Sequence, residues 1–338
     1  MHRVPARAPV PAPASAGPVP APDPASTPHR PPRGRAFATV AALLPITLTA
    51  CGGSAEPAAQ NGASPAPSQN VLRSVHKDEA AAKLLPRAVR ERGSLRLATS
   101  VGSPPSAYHP DTATKKPVGQ DVDIGDAVGK VLGLKVRRDE ASFETILPAL
   151  TSGKYDAGTG NFGVTDERRR TIDFVTYIND GQGFAVRKDD KSLRKVTRLS
   201  QLCGKTIGTG AGTTFEKTLD THRDVCKKSG EKPYTVRVFS DDGAELTSLQ
   251  QGRVDVTMST INGLRHQAAQ PEAGIRFLGE FQRLDVGFAF AKGSPLTKAF
   301  QTAVNRLIKD GTYDRILRKW GTEKSAIPAS RISPPEKK

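Results

Sequence analysis

One arginine in this chain has a setting suited to binding an anion. The segment 156–186 contains Thr165-Asp166-Glu167-Arg168, which has the composition of a helix start. Thr165 can cap the first turn, and the two acids suit the positive end of the helix dipole. A guanidinium beside free backbone N–H groups can grip both oxygens of a carboxylate. We therefore predict that Arg168 binds a carboxylate; the alternative is a capped surface helix with a charged face.

Other patterns that could carry chemistry are weak. The turn Gly208-x-Gly210-x-Gly212 is not followed by Gly-Lys-Ser/Thr, so tight strand-to-helix packing explains it as well as a phosphate loop. The six His form no His-Glu-x-x-His pattern, and Gly-x-Ser-x-Gly is absent from the sequence. The acidic pairs 189–190 and 241–242 are most simply solvated loop charges. We find no catalytic constellation and expect neither a metal nor a cofactor.

The first of three cysteines, Cys51, follows a leader-like segment. Basic residues at 30–35 precede a 15-residue apolar run, 36–50, which ends in Leu-Thr-Ala directly before the cysteine. This is the order of a secretory signal. The junction resembles a bacterial lipobox, which implies that Cys51 is lipidated and anchors the mature protein to the extracellular face of the cell membrane. A buried free cysteine is the alternative, but the next residues are a Gly/Ser/Pro/Ala tract without a core.

The remaining cysteines, Cys203 and Cys226, form a pair in what we expect to be an exported chain. In an oxidising compartment such a pair is expected to form a disulfide. The alternative is a metal or redox pair. It is weaker, because the sequence has no Cys-x-x-Cys and no His at ligand spacing.

Charge and composition exclude some partners. The chain has 338 residues and a formal net charge of +16, with aromatic residues at 5%. Its basic residues are spread along the sequence and match no RNP, zinc-finger or basic-zipper pattern. We therefore expect a basic, solvated surface and no nucleic-acid partner.

Strand-like and helix-like segments alternate through two stretches, which predicts an α/β architecture. The first stretch includes strands near 95–99 and 135–139, and the second begins near 202. We expect a Pro/Ala-rich extension with a signal peptide at 1–50, a flexible tether at 51–74, a first lobe from 75–187 and 285–325, a second lobe at 188–284, and a disordered tail at 326–338.

An ordered set of motifs spans 93–321. The motifs are Gly93–Leu97, Gly119–Ile124, Phe143–Leu150, Ser152–Asp156, Thr165–Arg168 with Asp173, Phe174 and Tyr177, Gly212–Thr214, Gly252–Asp255, and Asp310–Tyr313 with Ile316 and Lys319–Gly321. In this order they resemble the polar amino-acid family of bacterial extracellular solute-binding proteins, the receptors of ABC importers. The resemblance implies a two-lobe, type II periplasmic-binding-protein-like fold with two hinge strands and a ligand between the lobes.

The resemblance also implies roles for particular residues. Arg168 should bind the α-carboxylate, backbone groups at Asn161 and Gly163 should assist it beside Thr165, and Thr213 and Thr214 should contact it from the far lobe. Tyr108 and Phe143 should wall the cleft.

Three positions depart from the family pattern. Ser100 stands where an acid is common, and Ser106 stands where an aromatic residue is usual, with Tyr108 as a replacement. Thr260 replaces the acid that holds the ligand's α-ammonium. Either Asp241 or Asp242 substitutes for that acid, or the ligand is not an ordinary α-amino acid.

These features predict a lipid-anchored, monomeric receptor that binds a small carboxylate-bearing solute, an amino acid, and serves an ABC permease in the membrane. It is not expected to be an enzyme. One alternative is an enzyme on the same fold, a cyclic-acid dehydratase or a wall-lytic enzyme, for which Glu144 is the nearest acid or base although we place it on the outer helix face. The other alternative is a sensor or adhesin module without transport.

Overall fold

The computed structural model describes residues 67–337. The predicted signal peptide, Cys51 and most of the predicted tether lie outside these residues. No helix within the described range has the length and apolar character needed to cross a bilayer. At the start of this range, Val71 and Leu72 pack against the core of the first lobe, so the predicted tether ends before residue 74.

The eight strands of the described region form one mixed sheet in the order β2-β1-β3-β8-β4-β7-β5-β6. Parallel pairs lie at both ends, and antiparallel pairs lie at the centre. The strands are β1 Ser94–Thr99, β2 Lys135–Glu140, β3 Ala157–Thr159, β4 Ile172–Arg187, β5 Thr206–Gly210, β6 Thr235–Phe239, β7 Val256–Thr260 and β8 Ile275–Ala291.

Two long strands connect the lobes. β4 has 16 residues and β8 has 17, and they pair antiparallel along almost their whole length. β1, β2 and β3 lie on one side of this pair, and β5, β6 and β7 lie on the other. Most of β4 is buried on consecutive positions, as expected for a strand covered on both faces. The predicted two-lobe α/β fold with two hinge strands is confirmed.

Helices cover both faces of the sheet, and several end where the sequence places glycine. Gly133 and Gly321 adopt left-handed backbone angles directly after their helices, a conformation that glycine reaches without a side-chain clash. The helices are α1 Glu79–Lys83, α2 Arg87–Arg92, α3 Gln120–Leu132, α4 Phe143–Thr151, α5 Thr214–Thr221, α6 Val225–Lys228, α7 Asp242–Gln250, α8 Ile261–Ala268, α9 Thr297–Lys309 and α10 Thr312–Trp320.

Each lobe has its own hydrophobic core. In the first lobe α3, α9 and α10 pack against the sheet around Phe288 and Phe300. In the second lobe the core includes Phe184, Met258 and the buried Cys226. Cys203 and Cys226 form a disulfide, with Cα atoms 5.6 Å apart. That prediction is confirmed.

The C-terminal segment 326–337, here named the C-terminal strap, packs along the hinge. Ser330 donates from its hydroxyl to the Thr176 carbonyl at 2.6 Å, and Ile332 forms a β-bridge with Val175. The strap continues to the loop before Arg168, where the Asp166 backbone N–H donates to the Glu336 carboxylate at 2.9 Å. The prediction of a disordered tail at 326–338 is therefore wrong for 326–337. The reason is that the Ser and Arg side chains of the strap find hinge partners that only the fold brings near.

Candidate functional site

A cavity of about 420 Å3 lies between the two lobes. Its first-lobe wall comes from the loops after β1, β2 and β3, and its second-lobe wall comes from the loops after β5 and β6 and the end of β7. Ligand clefts in α/β sheets lie at such strand ends. The wall is formed by Ser100, Val101, Gly102, Ser103, Ser106, Glu140, Ala141, Ser142, Phe143, Glu144, Gly160, Asn161, Arg168, Gly210, Ala211, Thr213, Thr214, Phe215, Phe239, Ser240, Asp241, Asp242, Ser259 and Thr260.

Arg168 joins the two lobes at this cavity. Its Nη1 donates to the Gly163 carbonyl at 3.0 Å, and its Nη2 donates to the Gly212 carbonyl of the other lobe at 2.9 Å. The guanidinium carbon lies 5.7 Å from the centre of the Phe143 ring, which permits a cation–π contact. The guanidinium is therefore held by neutral acceptors and an aromatic face.

The predicted helix start at Thr165 is a shorter structure than expected. Thr165 Oγ1 accepts the Arg168 N–H at 3.2 Å, as a cap would, but only a three-residue 3-10 helix, Arg168–Arg170, follows. Arg168 therefore does not lie beside the free N–H groups of an α-helix. Backbone carbonyls, which are acceptors, surround its guanidinium.

The electrostatic state of Arg168 favours an anionic ligand. No carboxylate of residues 67–337 lies within ion-pair distance of it. Burial lowers the pKa of Arg168 to about 10, so the group remains protonated at neutral pH. Because carbonyl oxygens only partly replace its lost hydration, a carboxylate that enters the cavity would compensate this buried charge.

Asn161 anchors the cavity floor to the hinge. It has a left-handed backbone with a φ of 56°, which Asn tolerates better than most residues. Its Nδ2 donates to the Asp180 carboxylate at 2.9 Å, and its backbone N–H donates to Asp121 at 3.3 Å. Asp121 also accepts the Tyr177 hydroxyl at 2.8 Å. This network fixes the direction of the loop that leads to Arg168.

Two carboxylates of this network are fully buried, and their hydrogen bonds offset only part of the cost of burying the charged form. Burial raises the pKa of Asp121 to about 6, and burial also raises the pKa of Asp180 to about 6. Asp180 belongs to hinge strand β4 and also accepts the Asn262 N–H, at the start of α8, at 3.2 Å. Asp180 therefore accepts hydrogen bonds from a residue of each lobe, Asn161 of the first and Asn262 of the second.

The second-lobe wall near Arg168 is built around a close turn. Gly212 has a φ of 68°, and a Cβ atom there would lie 3.2 Å from the Glu144 Cβ of the other lobe. Thr213 Oγ1 accepts the Glu216 N–H at 3.2 Å and so caps α5. Gln182 of the hinge donates to the Thr218 hydroxyl at 3.0 Å. The two lobes thus approach closely around the Gly-rich turn.

A carboxylate also bridges the lobes at this cavity. The Ser103 hydroxyl of the first lobe donates to Asp242 of the second lobe. Asp241 precedes α7 and accepts the Ala244 N–H at 2.8 Å, so it is the helix cap. Burial raises the pKa of Asp242, and the negative charge of Asp241 contributes to the same shift.

Most of the predicted ligand residues do line this cavity. Those that do so are Ser100, Phe143, Asn161, Arg168, Thr213, Thr214 and Thr260. Gly163 and Thr165 instead support Arg168 from behind, through the carbonyl and hydroxyl contacts given above.

Tyr108 does not take the predicted place in the cavity wall. It is buried, and its ring lies 6.1 Å from that of Trp320 and 6.3 Å from that of His266. The prediction that Tyr108 replaces a cleft aromatic residue is wrong, because the loop folds its ring into the first-lobe core.

Thr260 lines the cavity, but its hydroxyl accepts the Gly263 N–H at 3.1 Å and so caps α8.

Sequence reasoning undervalued the acidic residues of the site. Asp241 and Asp242 line the cavity and are not merely solvated loop charges. Glu144 also lines it, so its placement on an outer helix face was wrong. The one signal in the sequence was the position of the Asp pair directly after a predicted strand, where sheet ends form clefts.

Comparison with known proteins agrees with this geometry. Residues 95–323 match the model of the bacterial extracellular solute-binding proteins, family 3. The arginine-binding protein of Corynebacterium glutamicum is 27% identical over 252 residues, which cover 74% of this chain and 81% of that protein.

Solved structures give the same result. An ancestral arginine-binding protein bound to arginine is 33% identical, with a TM-score of 0.61 over 68% of this chain and 98% of that one. An ancestral amino acid-binding protein, a precursor of cyclohexadienyl dehydratase, is 26% identical, with a TM-score of 0.60 over 69% of this chain and 97% of that one.

Proposed function

Because the chain belongs to the bacterial extracellular solute-binding proteins, family 3, we propose that it is a lipid-anchored receptor for a free amino acid and delivers that amino acid to an ABC permease. The observation that carries the proposal is Arg168, a half-buried cation at the interlobe cavity whose side-chain acceptors among residues 67–337 are backbone carbonyls. The ligand's carboxylate would replace those acceptors with two charge-assisted hydrogen bonds.

The hinge supplies the motion that such a receptor needs. Contacts between the lobes include the Arg168 bond to Gly212 and the exposed ion pair between Lys217 and Glu167 at 3.2 Å. Two strands, β4 and β8, carry the main-chain connection. A ligand that contacts both lobes would therefore favour the closed form over an open one.

The amino-acid class is supported by the names of the relatives, which include arginine-binding proteins. The test is calorimetric titration with free amino acids and with their α-carboxamides. We expect at least one amino acid to bind and its α-amide to bind about 100-fold more weakly, because the amide cannot compensate the Arg168 charge. Equal affinity for acid and amide, or no binding by any amino acid, would overturn the proposal.

The lipid anchor rests on the sequence before Cys51. We expect Cys51→Ala to release the protein from the membrane fraction and to remove incorporation of a labelled fatty acid. If the variant remains in the membrane fraction with label, the anchor lies elsewhere.

One observation favours a second candidate, an enzyme that acts on a cyclic acid. Glu144 lines the cavity, is exposed, and forms no side-chain hydrogen bond or ion pair with any of residues 67–337, so a free carboxylate is available as an acid or base. Incubation with an arogenate-like acid distinguishes the candidates. Turnover that is lost in Glu144→Gln supports the enzyme, and binding without turnover supports the receptor.

A further inference from the structure

The cavity has an unequal distribution of charge. Of the described residues that line it, Arg168 is the one Lys or Arg, whereas four are carboxylates: Glu140, Glu144, Asp241 and Asp242. Glu140 faces His109 at 3.1 Å, but none of the other three forms an ion pair within residues 67–337. A ligand whose only charge is a carboxylate would pair with Arg168 but would leave the excess negative charge of the other cavity residues without a cation.

Asp242 is the carboxylate with the most to gain from a cation. It is half-buried, and its hydrogen-bond partner is the neutral Ser103 hydroxyl, which does not compensate a charge. Glu245, one turn along α7, is buried, and its Oε1 has no hydrogen-bond partner in the described part of the chain. Burial, and then the charge of Asp242, raise the pKa of Glu245 well above its usual range. The start of α7 thus contains two desolvated acids that have no basic partner among residues 67–337.

The two charges, neither of which has an ion-pair partner among residues 67–337, stand over different strands. Arg168 meets Gly212, two residues after β5, whereas Asp242 follows β6, the edge strand beside β5. Both groups line the same cavity. A single ligand that carries an anionic and a cationic group can therefore pair with both, as a cationic amino acid does with its carboxylate and its side-chain cation.

We propose that the ligand is a cationic amino acid whose carboxylate binds Arg168 and whose side-chain cation binds Asp242 in place of Ser103. The inference rests on the proposed function, because it assigns the substrate class of the same cavity. Glu144 and Asp241 add to the negative potential at the mouth of the cavity and raise the preference for a positively charged solute.

The test uses two nearly isosteric ligands, arginine and citrulline, which differ at the end of the side chain by one charge. Titration of the full-length protein by calorimetry should show arginine binding at least about tenfold more tightly than citrulline, since a hydrogen-bonded charge pair is lost in citrulline. Equal affinity for the two, or tighter binding of glutamate than of arginine, would overturn the inference.

A variant locates the effect. Asp242→Asn should weaken arginine about tenfold and change citrulline less than twofold. The matched control is Asp314→Asn, which removes the same charge from an exposed position on α10 and should change neither ligand. An equal loss for both ligands in Asp242→Asn would contradict the assignment of Asp242 to the side-chain cation.

The two proposals fail in different ways. If glutamate or glutamine binds well and arginine does not, the receptor function stands and the cationic class is wrong. If none of the amino acids binds, the proposed function itself is wrong.

Discussion

The two walls of the cavity differ in how their charges are supported. In the first lobe, Arg168 is held by the Gly163 carbonyl and stands on a loop that Asn161 fixes to buried acids. In the second lobe, Asp242 begins a helix and meets only a serine from the opposite lobe. Arg168 therefore has a contact within its own lobe, to Gly163, besides its contact with Gly212 of the other lobe, whereas the side-chain partner of Asp242 comes from the opposite lobe. On the proposed function, we expect the first wall to set the affinity for the carboxylate and the second wall to select the side chain.

The largest effect should come from removing the positioned charge. We expect Arg168→Ala to weaken any carboxylate ligand at least about 100-fold, because truncating one partner of a buried charge pair costs about 2–5 kcal/mol. The affinity of Arg168→Lys should lie between those of the native protein and Arg168→Ala, since an ammonium carries the charge but cannot form the bidentate contact of a guanidinium. Arg170→Ala, an exposed neighbour in the same turn, is the control for calorimetry. Binding by Arg168→Ala within twofold of the native protein would remove Arg168 from the site.

The second wall depends on a cross-link that the first wall lacks. Cys203 and Cys226 enclose β5, the Gly-rich turn and α5, with a sequence separation of 23. We expect Cys203→Ser with Cys226→Ser to lower the free energy of unfolding by roughly 3 kcal/mol, as the chain-entropy estimate gives for such a loop. Urea unfolding measures the loss, and hydrogen exchange should increase in 203–239 more than in 157–170. Equal increases in both would show that the walls are not independently stabilised.

The stability of the protein should depend on pH through Asp180 of hinge strand β4. Its pKa is raised by burial to about 6 in the folded protein, from an ordinary value of 3.8. The stabilising contribution of a raised carboxyl pKa is full below the unfolded pKa and is lost as pH rises through the folded one. Relative to Asp180→Asn, the native protein should therefore lose about 2 kcal/mol of stability between pH 4 and pH 7.

Urea unfolding of both proteins at several pH values gives this difference directly. Asp314→Asn, which changes an exposed acid on α10, should show no such trend relative to the native protein. A difference between native and Asp180→Asn that stays constant from pH 4 to pH 7 would mean that Asp180 does not titrate in this range.

The smallest effect should come from the C-terminal strap. Arg331 and Lys337 both pair with the buried Asp285 of β8, Lys337 at 2.7 Å. Because the two basic side chains are about half exposed, we expect Arg331→Ala with Lys337→Ala to cost about 1 kcal/mol of stability. Lys309→Ala with Arg318→Ala removes the same charge from exposed helix positions and is the control. If the loss of ligand-binding free energy exceeds the loss of unfolding free energy, the strap also positions the loop of Arg168.

Features that depend on residues close together in the sequence were largely predictable. Contacts between residues far apart in the sequence were not. The disulfide follows from the cysteine pair of a chain expected to be exported, and the hinge strands were implied by the family resemblance, whereas the local pattern at Arg168 predicted an α-helix where a 3-10 helix forms. Tyr108 was misplaced because only the fold shows that Trp320 and His266 receive its ring. Asp242 and the strap were undervalued because their partners, Ser103 and Asp285, are far from them in sequence.

A crystal structure of the protein grown with arginine tests the central claim most directly. We predict that the ligand lies between the lobes, with its carboxylate on the Arg168 guanidinium and its side-chain guanidinium on Asp242. A carboxylate bound away from Arg168, or a side chain directed away from Asp242, would contradict the account of two oppositely charged ends.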